Sequence, residues 1–205
     1  MIKLLDILYE IYSIGKVTEL KRKKTLHVYD FDDTLVKTDI PVIVIDKEGN
    51  KKEINSHEFA THQLQPGEKY DFSKFNAIIK QSTPINKNIE DLKKSLENPS
   101  IKTTILTARK IAFPIMKHLR DEYNIKNAYV VGVGSSDSEI KADWIENQVQ
   151  KGYNDIKFID DSQKNLDAVE KRLKDYSDID VTLINSLTGI IFRISSNDKT
   201  NQHTK

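Results

Sequence analysis

The chain alternates short apolar runs with helical stripes, and most runs break off at a polar or acidic residue. Leu26 to Tyr29, Lys102 to Leu106, Asn127 to Val131, Ile156 to Ile159 and Val181 to Ile184 favour strands, with Ile190-Ile191-Phe192 as a short edge strand. Helical spacing recurs between them. Ile111, Ile115 and Leu119 mark a helix running to about Tyr123, with Pro114 in its first turns; Ile140, Trp144, Ile145 and Val149 mark one opened by Asp137; Leu166, Val169 and Leu173 mark another. This alternation predicts an α/β domain: a Rossmann-like parallel sheet flanked by helices.

The flanks and the long first connection need separate treatment. Leu4, Leu5, Leu8, Ile11 and Tyr12 predict an amphipathic helix over 2–14 that docks on the core, and Asp6 and Glu10 interrupt what a signal peptide would need as its apolar region. Lys21-Arg22-Lys23-Lys24 reads as a solvated connector, so residues 1–24 precede the domain. Pro41 to Ile54 alternates as a hairpin does, with a turn at Asp46 to Asn50 containing Gly49, and Ser56 to Phe72 is irregular and broken at Pro66-Gly67. Residues from about 36 to 100 therefore read as an insertion between the first two strands of the sheet. His57 and His62 lie inside it with no further His or Cys to complete a transition-metal site, so packing is their expected role; Tyr70 and Phe72 suit packing or base stacking equally. Residues 25–184 form the expected domain, and 185–205 an edge segment followed by a polar, disordered tail.

Two strands end in carboxylates. Asp30, Asp32 and Asp33 follow the first strand, and Asp160-Asp161 end the fourth, with Asn165 one helical turn later. Acids cannot sit inside a buried strand, so they emerge at its carboxyl end, where open parallel sheets bind ligands. Carboxylates this close repel one another unless a cation lies between them, and oxygen donors without Cys or His suit a hard ion such as Mg²⁺. An EF-hand is excluded, because its sixth and twelfth loop positions would be Leu35 and Pro41 instead of Gly and Glu.

Asp30-Phe31-Asp32-Asp33-Thr34 resembles the first motif, DxDxT, of the haloacid dehalogenase superfamily. Further resemblances follow in that family's order over residues 25 to about 184: the strand ending in Thr107-Ala108-Arg109, Lys141 in the first turn of a helix, and Asp160-Asp161-Ser162-Gln163-Lys164-Asn165, similar to DDxxxN. The resemblance implies an Mg²⁺-dependent phosphatase. In it Asp30 is the nucleophile, Asp32 the general acid and base, and Thr107, Ala108, Arg109 and Lys141 contact the phosphoryl group. Asp30, the Asp32 main-chain carbonyl and Asp161 hold the metal, Asp160 more weakly, with Asn165 orienting them. It also implies that the insertion is a cap. Asp33 departs from the family's usual glycine. Dehalogenases of the superfamily lack the second Asp, so Asp32 points to phosphate esters. Receiver-type signalling domains place the acidic pair first, the reverse of the order here.

Composition narrows the partners. Net charge is +1 from 32 basic and 31 acidic residues, so no overall field marks a nucleic-acid or membrane binder. There is no cysteine, which removes disulfide and thiol chemistry and fits a cytoplasmic setting, that of a host cell if the chain is phage-encoded. No apolar stretch is long enough to span a bilayer. Neither a Walker loop nor a kinase glycine loop occurs. The expected substrate is a phosphorylated small molecule or a nucleic-acid end, on a looser likeness to superfamily proteins of large tailed phages and to polynucleotide-end phosphatases. The competing reading is a non-catalytic phosphate-binding or scaffold protein that keeps the fold, against which the intact Asp30, Asp32, Thr107, Lys141 and Asp161 argue.

Overall fold

The computed structural model describes residues 23–38, 40–55, 58–59 and 62–195; the helix expected over 2–14, His57 and the tail from 196 lie outside the described residues. The strands are β1 (Thr25–Tyr29), β2 (Val36–Thr38), β3 (Val42–Ile45), β4 (Lys51–Ile54), β5 (Lys69–Asp71), β6 (Ser82–Pro84), β7 (Ile101–Thr107), β8 (Val130–Gly132), β9 (Asp155–Asp160), β10 (Asp180–Asn185) and β11 (Ile191–Ile194). The α-helices among them are α1 (Asn86–Glu97), α2 (Phe113–Tyr123), α3 (Ser138–Gln150) and α4 (Gln163–Leu173).

Six strands form one sheet in the order β11-β10-β9-β1-β7-β8, parallel except for β11. The chain steps outward from β1 through β7 to β8, then crosses back to β9 on the other side of β1. The strand order therefore reverses between β1 and β9, and the crevice above their carboxyl ends is where such sheets bind ligands. Side-chain alternation along β1 divides the core: Leu26 and Val28 meet α3 and α4 in one apolar layer, whereas Tyr29 meets α1 and α2 in the other.

The structure shortens the insertion read over 36–100. Residues 86–97 form α1, whose Ile89 and Leu92 belong to the second core layer. Polar bonds hold it to the sheet as well: Tyr29 Oη donates to Asp91 Oδ2 at 2.6 Å, and Lys157 Nζ donates to the same oxygen at 2.6 Å. The true excursion runs from β2 to β6, which pair antiparallel as its stalk. Beyond the stalk, β4-β3-β5 form a three-stranded sheet around Val42, Val44 and Ile54, against which Phe59, Tyr70, Phe72 and Phe75 pack. The 42–54 hairpin falls where expected, with Gly49 at φ +87° in its turn. β5, inside the stretch read as irregular, pairs with β3, and His62 rests on Tyr70, whose hydroxyl donates to the His62 carbonyl at 3.1 Å.

Smaller differences follow from burial. Ile111 precedes α2 and is exposed, while Ile115 and Leu119 are buried as the stripe requires; Pro114 sits in the first turn. On α3 Ile140 is exposed and Lys141 takes the core-facing position beside Ala142 and Ile145. No helix of the described residues is long and apolar enough to cross a membrane.

Because Leu92 is fully buried, Leu92→Ala should lower unfolding stability by about 2–5 kcal/mol in a denaturant titration. A loss below about 1 kcal/mol would show that α1 is not part of this core.

Candidate active site

β1 delivers Asp30 to the crevice, where its N–H donates to the Ile159 carbonyl at 2.9 Å and ties the two central strands together. The chain then turns tightly: Leu35 N donates to the Phe31 carbonyl at 2.9 Å, and Asp33 N to the Val36 carbonyl at 2.8 Å. Phe31 and Leu35 are fully buried and anchor the loop from below. Asp33 adopts φ +56°, in the left-handed region that favours glycine and that Asp tolerates better than most residues.

Opposite lies the end of β9. Lys141 reaches in from α3, its ammonium donating to Asp30 Oδ1 at 2.7 Å and to Asp160 Oδ2 at 2.8 Å. Asp160 is fully buried and also accepts from Ser162 N at 2.9 Å and from Asn165 Nδ2 at 2.9 and 3.0 Å. Both its oxygens are thereby committed. Ser162 stands at the N-cap of α4, yet its hydroxyl makes no capping bond; its N–H serves Asp160 instead. Asp161 is less committed, taking one long bond from Thr34 Oγ1 at 3.4 Å.

Three buried or half-buried carboxylates, Asp30, Asp160 and Asp161, offer oxygens within 4.8 Å of one another, and Lys141 supplies one positive charge among them. The imbalance sets the electrostatics. Burial raises the Asp30 carboxyl well above its ordinary range, Lys141 opposes this, and the neighbouring aspartates add to it. Burial, then Asp160, push Asp161 up to about 7. Burial works to discharge Lys141, but Asp160 and Asp30 outweigh it and hold its ammonium above the usual lysine value. An all-oxygen set with excess negative charge fits a hard divalent cation. Asp30 and Asp161 could hold it directly, and Asp160, already bonded to Lys141 and Asn165, orients them.

Asp32 takes a different partner. Arg109 Nε donates to its Oδ2 at 2.8 Å and Nη2 to its Oδ1 at 2.6 Å, with Thr38 Oγ1 adding a 3.1 Å bond to Oδ1. Arg109 is thus neither a surface residue nor free for a substrate phosphate: its side chain is 0% exposed, and Nη1 donates to the Phe75 carbonyl at 2.5 Å. This corrects the expected phosphoryl contact, because two-pronged pairing with Asp32 satisfies the guanidinium fork. Thr107 is buried, and its hydroxyl accepts from Arg109 N at 3.2 Å, so it shapes the turn that carries Arg109. Gly132 at the end of β8 permits that turn to close over it: a Cβ there would lie 2.5 Å from the Arg109 carbonyl oxygen.

These groups open onto a cavity of about 360 Å³ whose lining includes Asp30, Asp32, Lys141, Asp161 and Ala108, but not Thr107 or Arg109. A second cavity of about 270 Å³ shares Phe59, Phe75, Ala108, Ser135 and Ser136 with it. Thr38 and Phe75 were not foreseen. Each acts through a partner distant in sequence, and nothing local marks them.

The raised Asp161 carboxyl has a pH signature. Between the unfolded value near 4 and about 7 the native state binds the extra proton, so this group's contribution to stability falls as pH rises through that window. Without divalent ions, wild-type protein should lose stability relative to Asp161→Asn between pH 5 and 7.5, and at pH 7.5 Mg²⁺ at ten times its Kd should raise wild-type Tm by roughly 3–6 °C. Thermal melts in which Mg²⁺ has no effect, or the variant follows the wild-type pH dependence, would count against the cation site. Comparison of the chain with family models, with curated proteins and with solved structures finds no match in any of the three.

Proposed function

We propose that the protein is a phosphomonoester hydrolase working through an aspartyl-phosphate on Asp30, as its resemblance to the haloacid dehalogenase superfamily implies. One observation carries this reading. Asp30 and Asp32 line a single cavity at the sheet's reversal point, and their partners are opposite in consequence: Lys141 holds Asp30 beside the other acids, whereas Arg109 holds Asp32 apart from them.

The chemistry follows from those partners. Lys141 binds one oxygen of Asp30, which fixes the carboxylate and leaves its other oxygen to attack phosphorus. As the bond from that oxygen to phosphorus forms, the ester bond breaks, and the leaving alkoxide takes a proton from Asp32. Asp32 must first acquire that proton. Oδ2 is the oxygen to carry it, since its bonding here is to Arg109 Nε, while Oδ1 is held by both Nη2 and Thr38. After giving up the proton, Asp32 is again a carboxylate stabilised by the guanidinium. It then takes a proton from the water that attacks phosphorus, the Asp30–phosphorus bond breaks, and phosphate leaves.

Mg²⁺, which Asp30, Asp161 and the Asp32 main-chain carbonyl would hold, supplies neutralisation of charge on the transferring phosphoryl group. Lys141 adds a fixed positive charge that its two aspartates keep protonated across the working pH range. Asn165 and Ser162 N hold Asp160, which keeps Lys141 aimed at Asp30.

Phosphate release from p-nitrophenyl phosphate should therefore require Mg²⁺, stop on EDTA addition, and fall by about 10³-fold or more in Asp30→Asn. Equal release by the variant would overturn the nucleophile. Absence of release from a broad phosphate-ester panel, by folded protein, would move the reading to phosphate binding without catalysis.

A further inference from the structure

The second cavity asks what it is for. Its walls are mostly apolar and include Phe59, Phe72 and Phe75. These rings contact one another edge to face, with centroids 5.7 Å apart for Phe59 and Phe72 and 5.9 Å for Phe72 and Phe75. All three remain half-buried although they belong to the insertion's own small core. Aromatic surface left open in a cavity that adjoins a cluster of acids marks a ligand subsite more readily than a packing defect.

Its position relative to the chemistry is set by one residue. Arg109 grips Asp32 with Nε and Nη2 and grips the Phe75 carbonyl with Nη1. The group that exchanges protons with the leaving oxygen is thus tied to the wall of the aromatic cavity. Phe75 lines both cavities, so a leaving group extending past Asp32 from a phosphoryl group at Asp30 would reach this space by way of Phe75.

We propose that the second cavity receives a nucleobase, so that the substrate is a nucleoside monophosphate, free or as the end of a strand. The proposal rests on the phosphatase reading above and names its substrate class. A volume of about 270 Å³ admits a base and part of its sugar but not a longer polymer segment. The rings offer apolar faces and edges to a planar base, and base–aromatic stacking tolerates any of the bases. Polar groups at the rim suit a base better than a plain phenyl ring. Asn76 uses its Oδ1 to accept from Ile111 N at 3.2 Å, which leaves its NH₂ to donate, and Ser135, whose Oγ accepts from Asp137 N at 3.1 Å, keeps its hydroxyl proton to donate to a base edge.

The test compares turnover with binding. On wild-type protein, kcat/KM for nucleoside 5′- or 3′-monophosphates should exceed that for ribose 5-phosphate and for phosphotyrosine by about tenfold or more. Mononucleotides set against phosphorylated dinucleotides distinguish the free ligand from the strand end. Independently of catalysis, 2-aminopurine riboside 5′-monophosphate should bind Asp30→Asn protein with quenched fluorescence. Phe72→Leu, which keeps bulk but removes the ring, should weaken that binding about tenfold, and Phe72→Tyr should restore it.

Equal turnover of ribose 5-phosphate and nucleotides, or a preference for phosphotyrosine, would overturn the base subsite while leaving the phosphatase standing. Quenching that depends on Phe72, with no turnover of any ester, would sink the phosphatase and keep the base site. Absence of both would sink both.

Discussion

The site depends on how one buried ammonium is shared among acids. Lys141 is almost fully buried between Asp30 and Asp160, with Asp161 alongside, so the cluster carries more negative than positive charge in a setting where unpaired charge is costly. Each feature around it reduces that cost. Asn165 and the Ser162 N–H satisfy Asp160, the Asp30 N–H ties β1 to β9, and the crevice itself arises because strand order reverses between those strands. What remains uncompensated is negative charge, which a cation would offset.

Asp32 shows the complementary arrangement. It lies two residues from Asp30 yet belongs to a separate electrostatic unit, in which Arg109 joins it to the stalk through Thr38 and to the aromatic insertion through Phe75. The insertion is therefore bonded directly to an acid of the site as well as sitting above it. A change in how the insertion packs must alter the bonding of Asp32, and the reverse also holds.

The central strands were legible because buried parallel strands read as apolar runs, and the acids were legible because such runs cannot contain them. The order of Asp30, Asp32, Lys141 and Asp161 along the chain anticipated their meeting in space. Elements held by distant pairing were harder. Thr38 and Tyr70 lie in three-residue strands, each fixed by a partner strand with little local preference of its own, and α1 hides its Ile89-Leu92 stripe among lysines. Arg109 was visible as a charge, but its partner lies 77 residues away, so its burial against Asp32 could not be read. Lys141 illustrates the opposite error at Ile140: a helix face assigned by hydrophobicity yielded to an ion pair that required the core-facing position.

Trapping the covalent intermediate tests the central claim most directly. Protein mixed with Mg²⁺ and a turned-over phosphate ester, quenched in acid within one turnover and digested, should show a peptide containing Asp30 that is heavier by one phosphoryl group, labile to hydroxylamine and missing in Asp30→Asn. Multiple turnovers with no phosphorylated peptide, and with inversion instead of retention of configuration at an isotopically chiral phosphorus, would mean that water attacks phosphorus directly and that Asp30 is not the nucleophile.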